Sequence, residues 1–133
     1  MRVLTLGTFD IPHVGHVTFL DKAASLGDEL IVGVNSDRFV ERYKGERPLF
    51  SFDERAELLT RAGYTVRVND GPGRVLVERW KPVFLVVGSD WHTRDYLQQI
   101  DVTQGELDHW GVSVAYVPYT PGISTSDIRA RCA

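Results

Sequence analysis

Residues 2–16 read Arg2-Val3-Leu4-Thr5-Leu6-Gly7-Thr8-Phe9-Asp10-Ile11-Pro12-His13-Val14-Gly15-His16. The short apolar run from Arg2 to Leu6 is stopped by Gly7, the pattern of a strand that ends in a turn. Beyond Pro12, apolar residues recur at Val14, Val17, Leu20, Ala23 and Ala24. That three-and-four spacing predicts an amphipathic helix ending at Gly27. Glu29 to Asn35 is nearly continuous in Leu30, Ile31, Val32 and Val34, as a strand buried on both faces of a parallel sheet requires. A βαβ unit is therefore complete by residue 35.

The alternation continues outward. Ser51 to Ala62 reads as helix, Thr65 to Val68 as strand, Arg74 to Trp80 as helix, and Val83 to Val87 as a strand closed by Gly88. Gln104 to Trp110 gives a helix, Val112 to Val117 a last strand and Ser124 to Arg131 a terminal helix. Five strands alternating with helices predict an α/β fold with a single Rossmann-like, doubly wound parallel sheet, whose ligands bind beyond the strands' carboxyl ends. The site is expected on loops 7–16, 35–50, 88–92 and 118–126.

Length and charge narrow the function. At 133 residues the chain is expected to be one domain, 1–133, with room for one core and one site. A composition of 43% hydrophobic and 25% charged residues excludes a disordered tail and a fibre. Fifteen Lys and Arg against eighteen Asp and Glu give a net charge of -3, without the basic stripe that nucleic-acid binding needs. The lone cysteine, Cys132, permits no internal disulfide and no thiolate cluster for zinc. No run of about 18 apolar residues occurs, so a cytoplasmic protein without a membrane partner is expected.

The loop after the first strand carries the first chemistry. His13 and His16, three apart at a helix start, share one face where free backbone N–H groups and the helix dipole already favour a phosphate. Gly15 between them lets a ligand approach the backbone closely. The plainer alternative makes the histidines a cap and a surface residue. Ser124, Thr125 and Ser126 follow Gly122 and open a helical run, forming a second anion cradle in which one hydroxyl serves as N-cap. Gly88-Ser89-Asp90-Trp91 follows a buried strand, where Asp90 could bond a ribose or base and Trp91 reads as core. No Walker lysine, G-x-G-x-x-G or paired metal ligands occur, so a P-loop kinase, a dehydrogenase and a metallohydrolase each lack their parts.

In these blocks the sequence resembles the cytidylyltransferase-type nucleotidyltransferases, a superfamily marked by an H-x-G-H motif on a nucleotide-binding α/β fold. GTFDIPHVGH resembles the family's opening, GVNSD at 33–37 the end of its second strand, and YKGERP with ERAELL its lysine loop and arginine helix. PGISTSDIR at 121–129 resembles the signature of the choline-phosphate, ethanolamine-phosphate and, most closely, glycerol-3-phosphate enzymes. The resemblance implies attack of a phosphate monoester on the α-phosphorus of a nucleoside triphosphate, with pyrophosphate leaving. His13, His16 and Lys44 are then the catalytic set. Gly7, Thr8, Phe9, Asp10, Gly15, Gly88, Asp90, Thr120, Gly122, Ile123, Ser124, Thr125 and Ser126 hold the nucleotide, and Lys44, Arg55 and Arg129 contact phosphate or acceptor. CTP with a glycerol-3-phosphate-like acceptor is the expected substrate pair, Mg²⁺ arrives on the triphosphate, and a homodimer is expected.

The chemistry suits those residue types. Displacement at phosphorus builds charge on equatorial and leaving oxygens, so the protein mainly positions reactants and supplies positive donors. Lys44, before Gly45, is a movable point charge on an expected flexible loop. Arg55 is expected to be exposed beside Asp53 or Glu54 unless, as the resemblance implies, it contacts a phosphate. Two departures stand out. Tyr119 precedes Thr120 where the family has arginine, leaving Arg129 or Arg47 to compensate, and the family's acidic residue has no counterpart in 64–68. VNSD, KG-x-RP and a G-x-S-T turn also resemble the heptose-phosphate adenylyltransferases, so ATP on a sugar phosphate is the nearest alternative. A catalytically silent nucleotide-binding subunit is a further one.

Overall fold

Strand order decides where a parallel sheet can bind. The computed structural model describes residues 1–10, 14–88 and 93–117. Five strands form one all-parallel sheet: β1 (Arg2–Gly7), β2 (Glu29–Asn35), β3 (Thr65–Asn69), β4 (Phe84–Gly88) and β5 (Ser113–Val117), in the order β3-β2-β1-β4-β5. Six helices connect them: α1 (Val14–Ala24), α2 (Asp37–Lys44), α3 (Phe52–Arg61), α4 (Arg74–Trp80), α5 (Thr93–Ile100) and α6 (Gln104–Trp110).

Side chains alternate across the pleat, so the apolar strands feed two cores at once. Val3, Val32 and Val86 face one side, where Phe19 and Leu20 of α1 and Leu59 of α3 cover them. Leu4, Ile31 and Leu85 face the other, under Leu76 and Val77 of α4, Tyr96 and Leu97 of α5 and Leu107 of α6. Gly33 of β2 is required on that second face, because a Cβ there would stand 2.5 Å from Leu6 and 2.8 Å from Leu76. The chain winds one way from β1 to β3 and the other way from β4 to β5, so the order reverses between β1 and β4. Such a switch point leaves a crevice at the carboxyl ends.

The doubly wound parallel α/β sheet is therefore the fold that the sequence pattern predicts. The structure adds two helices, one inside the expected loop 35–50 and one at 93–100, where the sequence pattern assigns no element. The first, α2, buries one apolar side chain, Val40, and is held by its ends. Ser36 accepts from Phe39 N–H, and Gly45, at φ 83°, returns its N–H to Glu41. The second, α5, packs Tyr96, Leu97 and Ile100 against the core. The expected terminal helix at 124–131 lies outside the described residues. Among the described residues, no helix is long and apolar enough to cross a membrane.

Candidate active site

The crevice begins where β1 ends. Phe9 turns back at φ 51° and lays its ring over Gly7, where a Cβ would sit 2.8 Å away, so only glycine fits position 7. The ring also meets His16 edge-on, with centroids 5.2 Å apart at 78°. His16, 8% exposed, lies in the first turn of α1, a turn without a carboxylate. A helix N-terminus favours an anion through its dipole, and that first turn carries no acidic residue to oppose it. Asp10 ties the loop to the chain before α3, accepting from Phe50 N–H at 3.0 Å.

Lys44 approaches from the opposite wall. It is the last residue of α2 rather than part of a free loop, and its Nζ stands 5.7 Å over the Tyr43 ring. The Tyr43 hydroxyl bonds Thr8 Oγ1 at 3.1 Å, fastening the end of α2 to the loop after β1. Arg47 leaves the site for Glu41, with Nε 2.7 Å from Oε2.

Arg55 corrects the sequence expectation. It is wholly buried and bonds neither Asp53 nor Glu54. Nε donates to the Phe50 carbonyl at 3.0 Å, Nη1 to the carbonyls of Thr8 at 2.6 Å and Asn35 at 2.8 Å, and Nη2 to Asp37 Oδ1 at 2.7 Å. Four of its five N–H donors are thus spent on the ends of β1 and β2, the start of α2 and the approach to α3. A guanidinium used this way ties these segments together, with one N–H left over. Glu54 instead closes a capping box with Ser51.

Side chains that the sequence reading passed over floor the crevice. Asn69 Nδ2 donates to Asn35 Oδ1 at 2.9 Å, and Asn35 Nδ2 donates to Thr8 Oγ1 at 3.0 Å. Both β2 and β3 end in Val-Asn, a polar residue closing an apolar strand, and that repeated dipeptide was the available signal. A cavity of about 520 Å³ lies over them, walled by Phe39, Tyr43 and Lys44 of α2 and by Tyr96 and Gln99 of α5, with Gly7 and His16 at its inner side. Beside it, Asp70 accepts from Ser36 Oγ at 2.6 Å and pairs with Arg38, and these contacts hold its carboxyl below the usual range.

The structure thus brings Gly7, Thr8, Phe9, His16 and Lys44 to one cavity; Asp10 and Gly15 are the chain neighbours of Phe9 and His16 and are not among its lining residues, and Gly88 ends β4. His13, Asp90, Trp91, Tyr119, Thr120, Gly122, Ile123, Ser124, Thr125, Ser126 and Arg129 lie outside the described residues. Among the described residues, no group of three or more His, Cys, Asp or Glu is arranged to hold a metal ion.

Residues 4–131 match the profile of the family described as Cytidylyltransferase-like. The chain belongs to that family. Its enzyme class is accordingly nucleotidyltransferase. Within the cytidylyltransferase-like proteins it is 40% identical over 130 residues to the bifunctional protein HldE of Geobacter metallireducens, covering 95% of this chain and 26% of that protein. To the bifunctional protein HldE of Campylobacter concisus it is 44% identical over 133 residues, again 26% of the relative. The chain spans about a quarter of the length of these curated relatives. Among solved structures, the lipopolysaccharide core biosynthesis protein of Thermoplasma volcanium superimposes with a TM-score of 0.69 at 27% identity, covering 90% of this chain and 96% of that one. Thermotoga maritima TmcAL, solved with alpha-thio ATP, has a TM-score of 0.66 at 16% identity over 99% of this chain and 50% of its own, a likeness of fold.

Proposed function

We propose that this domain transfers an adenylyl group from ATP to a sugar phosphate, releasing pyrophosphate. The carrying observation is the 35–44% identity to bifunctional HldE proteins over nearly the whole chain. That span includes the VNSD and KG-x-RP blocks, which resemble heptose-phosphate adenylyltransferases. The sugar-polymer role in the name of the Thermoplasma volcanium protein points the same way. The CTP expectation keeps one support, the PGISTSDIR block at 121–129, and is the second reading.

In the proposed reaction an acceptor phosphate oxygen attacks the α-phosphorus of ATP in line, and the bond from that phosphorus to the bridging oxygen of pyrophosphate breaks. His16, in the first turn of α1 and braced by Phe9, donates to the triphosphate as charge develops, with His13 as its partner from the same motif. Lys44 brings a compact positive charge to the cavity from α2. No side chain acts as nucleophile. Mg²⁺ enters as part of the substrate, held by triphosphate oxygens and water in keeping with its preference for phosphate. The homodimer expected from the family belongs to this proposal, and the mass in solution at micromolar concentration tests it.

The deciding experiment measures pyrophosphate release with ATP or CTP against sugar phosphates, glycerol-3-phosphate, phosphocholine and phosphoethanolamine. The expected result is turnover with ATP and a sugar phosphate. Turnover with CTP and glycerol-3-phosphate alone would establish the second reading, and no release with any pair would leave a silent nucleotide-binding domain.

A further inference from the structure

Both asparagines of the chain stand side by side at the floor of the cavity. Asn35 closes β2, Asn69 closes β3, and the two are in register. They are 8% and 3% exposed, and the bond between them continues to Thr8 at one end and from Gly71 N–H at the other. Each amide nitrogen spends one N–H in this chain and keeps a second. A third carboxamide, Gln99, lines the cavity from the exposed side of α5.

The charged side chains described along the cavity have one sign. Among the described residues lining the cavity none is a carboxylate, and the cation present is Lys44, with His16 when protonated. The acidic side chains nearby are engaged elsewhere: Asp37 binds Arg55, and Asp10 accepts from Phe50 N–H. The aromatic wall is occupied as well. Arg42 lies 5.8 Å over the Phe39 ring and Lys44 5.7 Å over the Tyr43 ring, so the faces that would attract an ammonium group already carry one cation each. A hydroxyl both donates and accepts, and a carboxamide offers both partners without charge. This lining matches a phosphate ester whose alcohol is a neutral polyol and repels one whose alcohol carries an ammonium.

We infer that Asn35, Asn69 and Gln99 are specificity-determining residues of the acceptor half of the site, reading the hydroxyls of a neutral polyol phosphate and excluding cationic phosphate esters. The inference rests on the nucleotidyl transfer to a sugar phosphate proposed above. Of the nucleotide's expected contacts, Gly7 to Asp10 and Gly15 end or follow β1, and Gly88, Asp90 and 120–126 end or follow β4 and β5, so the part of the cavity over the ends of β2 and β3 falls to the acceptor.

Steady-state kinetics on Asn69→Asp and Gln99→Glu test it, with a sugar phosphate, glycerol-3-phosphate and phosphoethanolamine as acceptors. Each substitution keeps the shape and turns an amide into a carboxylate. The acceptor KM for the sugar phosphate should rise about tenfold, the size of one lost hydrogen bond, while the nucleotide KM stays within about twofold. The kcat/KM ratio of phosphoethanolamine to sugar phosphate should rise about tenfold or more, a gain that a merely structural role would not produce. If nucleotide and acceptor KM rise together, or the ratio stays put, the assignment is overturned. Should Asn69→Asp fail to fold, Gln99→Glu decides alone, since it lies on an exposed helix turn. Wild-type enzyme that prefers phosphoethanolamine or phosphocholine would overturn the functional reading itself, before any variant is made.

Discussion

Two arginine-centred seams hold helices onto opposite halves of this sheet, and they do different work. Around Arg55, a guanidinium without solvent exposure gathers the carbonyls of Thr8, Asn35 and Phe50 and the carboxylate of Asp37. Around Arg74, a guanidinium exposed at 32% reaches across from α4 to Glu106 of α6, whose carboxylate also closes the capping box with Thr103. The first seam bonds Thr8 and Asn35 of the cavity's lining, whereas the second bonds none of the lining residues. Burial thus falls where the loop after β1 is held to β2, α2 and the approach to α3, and the solvent-facing pair joins α4 to α6.

The sharpest way to break the contrast is to remove Arg55. Arg55→Leu leaves Asp37 and three carbonyls short of donors, and losing one partner of a buried pair costs about 3–5 kcal/mol. A fall in melting temperature on the order of 10–20 °C should follow, with loss of turnover. Arg55→Lys should restore little of either, because an ammonium cannot match the planar fork. A Lys variant that melts with the wild type would show the hub to be ornamental.

Next in size comes Lys44, on the wall of the cavity that Arg55 supports. Lys44→Ala is expected to lower kcat by roughly two orders of magnitude with an unchanged thermal melt, and Lys44→Arg to recover only part. Equal rates for wild type and Ala would make the residue a surface lysine.

The smallest effects belong to the Arg74 seam. Glu106→Gln should lower the melting temperature by a fraction of the Arg55 effect and leave turnover intact. Its signature is in pH. The bond from Arg74, with the Thr103 backbone N–H, lowers the Glu106 carboxyl from 4.5 to about 2. A carboxyl lowered on folding adds stability that is complete above its unfolded value and is lost as pH falls toward the folded one. The wild-type advantage over Glu106→Gln should therefore be full above about pH 4.5 and fade toward pH 2. Parallel melting curves across that range would contradict the pairing.

Much of the fold was legible because its period was apolar. The strands and α1, α3, α4 and α6 show in the spacing of Val, Leu and Ile. Helix α2 did not show, since Val40 is its one buried side chain and its stability comes from Ser36, Gly45 and ion pairs to residues distant in sequence. The H-x-G-H loop reads as an anion site because two histidines and a glycine open a predicted helix, and the structure places His16 in the first turn of α1. Arg55 was misread for a local reason: Asp53 and Glu54 are its neighbours in sequence, but its partner, Asp37, is 18 positions away. Asn35 and Asn69 carry no motif, and only the register of β2 with β3 brings them together.

In the proposed reaction the loop from β1 into α1 has one central role, stabilising the transition state of nucleotidyl transfer. It is tested most directly by pyrophosphate release from ATP and a sugar phosphate, at saturation, by wild type and His16→Ala. The account predicts a fall in kcat of about 10²–10³-fold, with the acceptor KM and the thermal melt close to wild type. A His16→Ala enzyme turning over at the wild-type rate would contradict it.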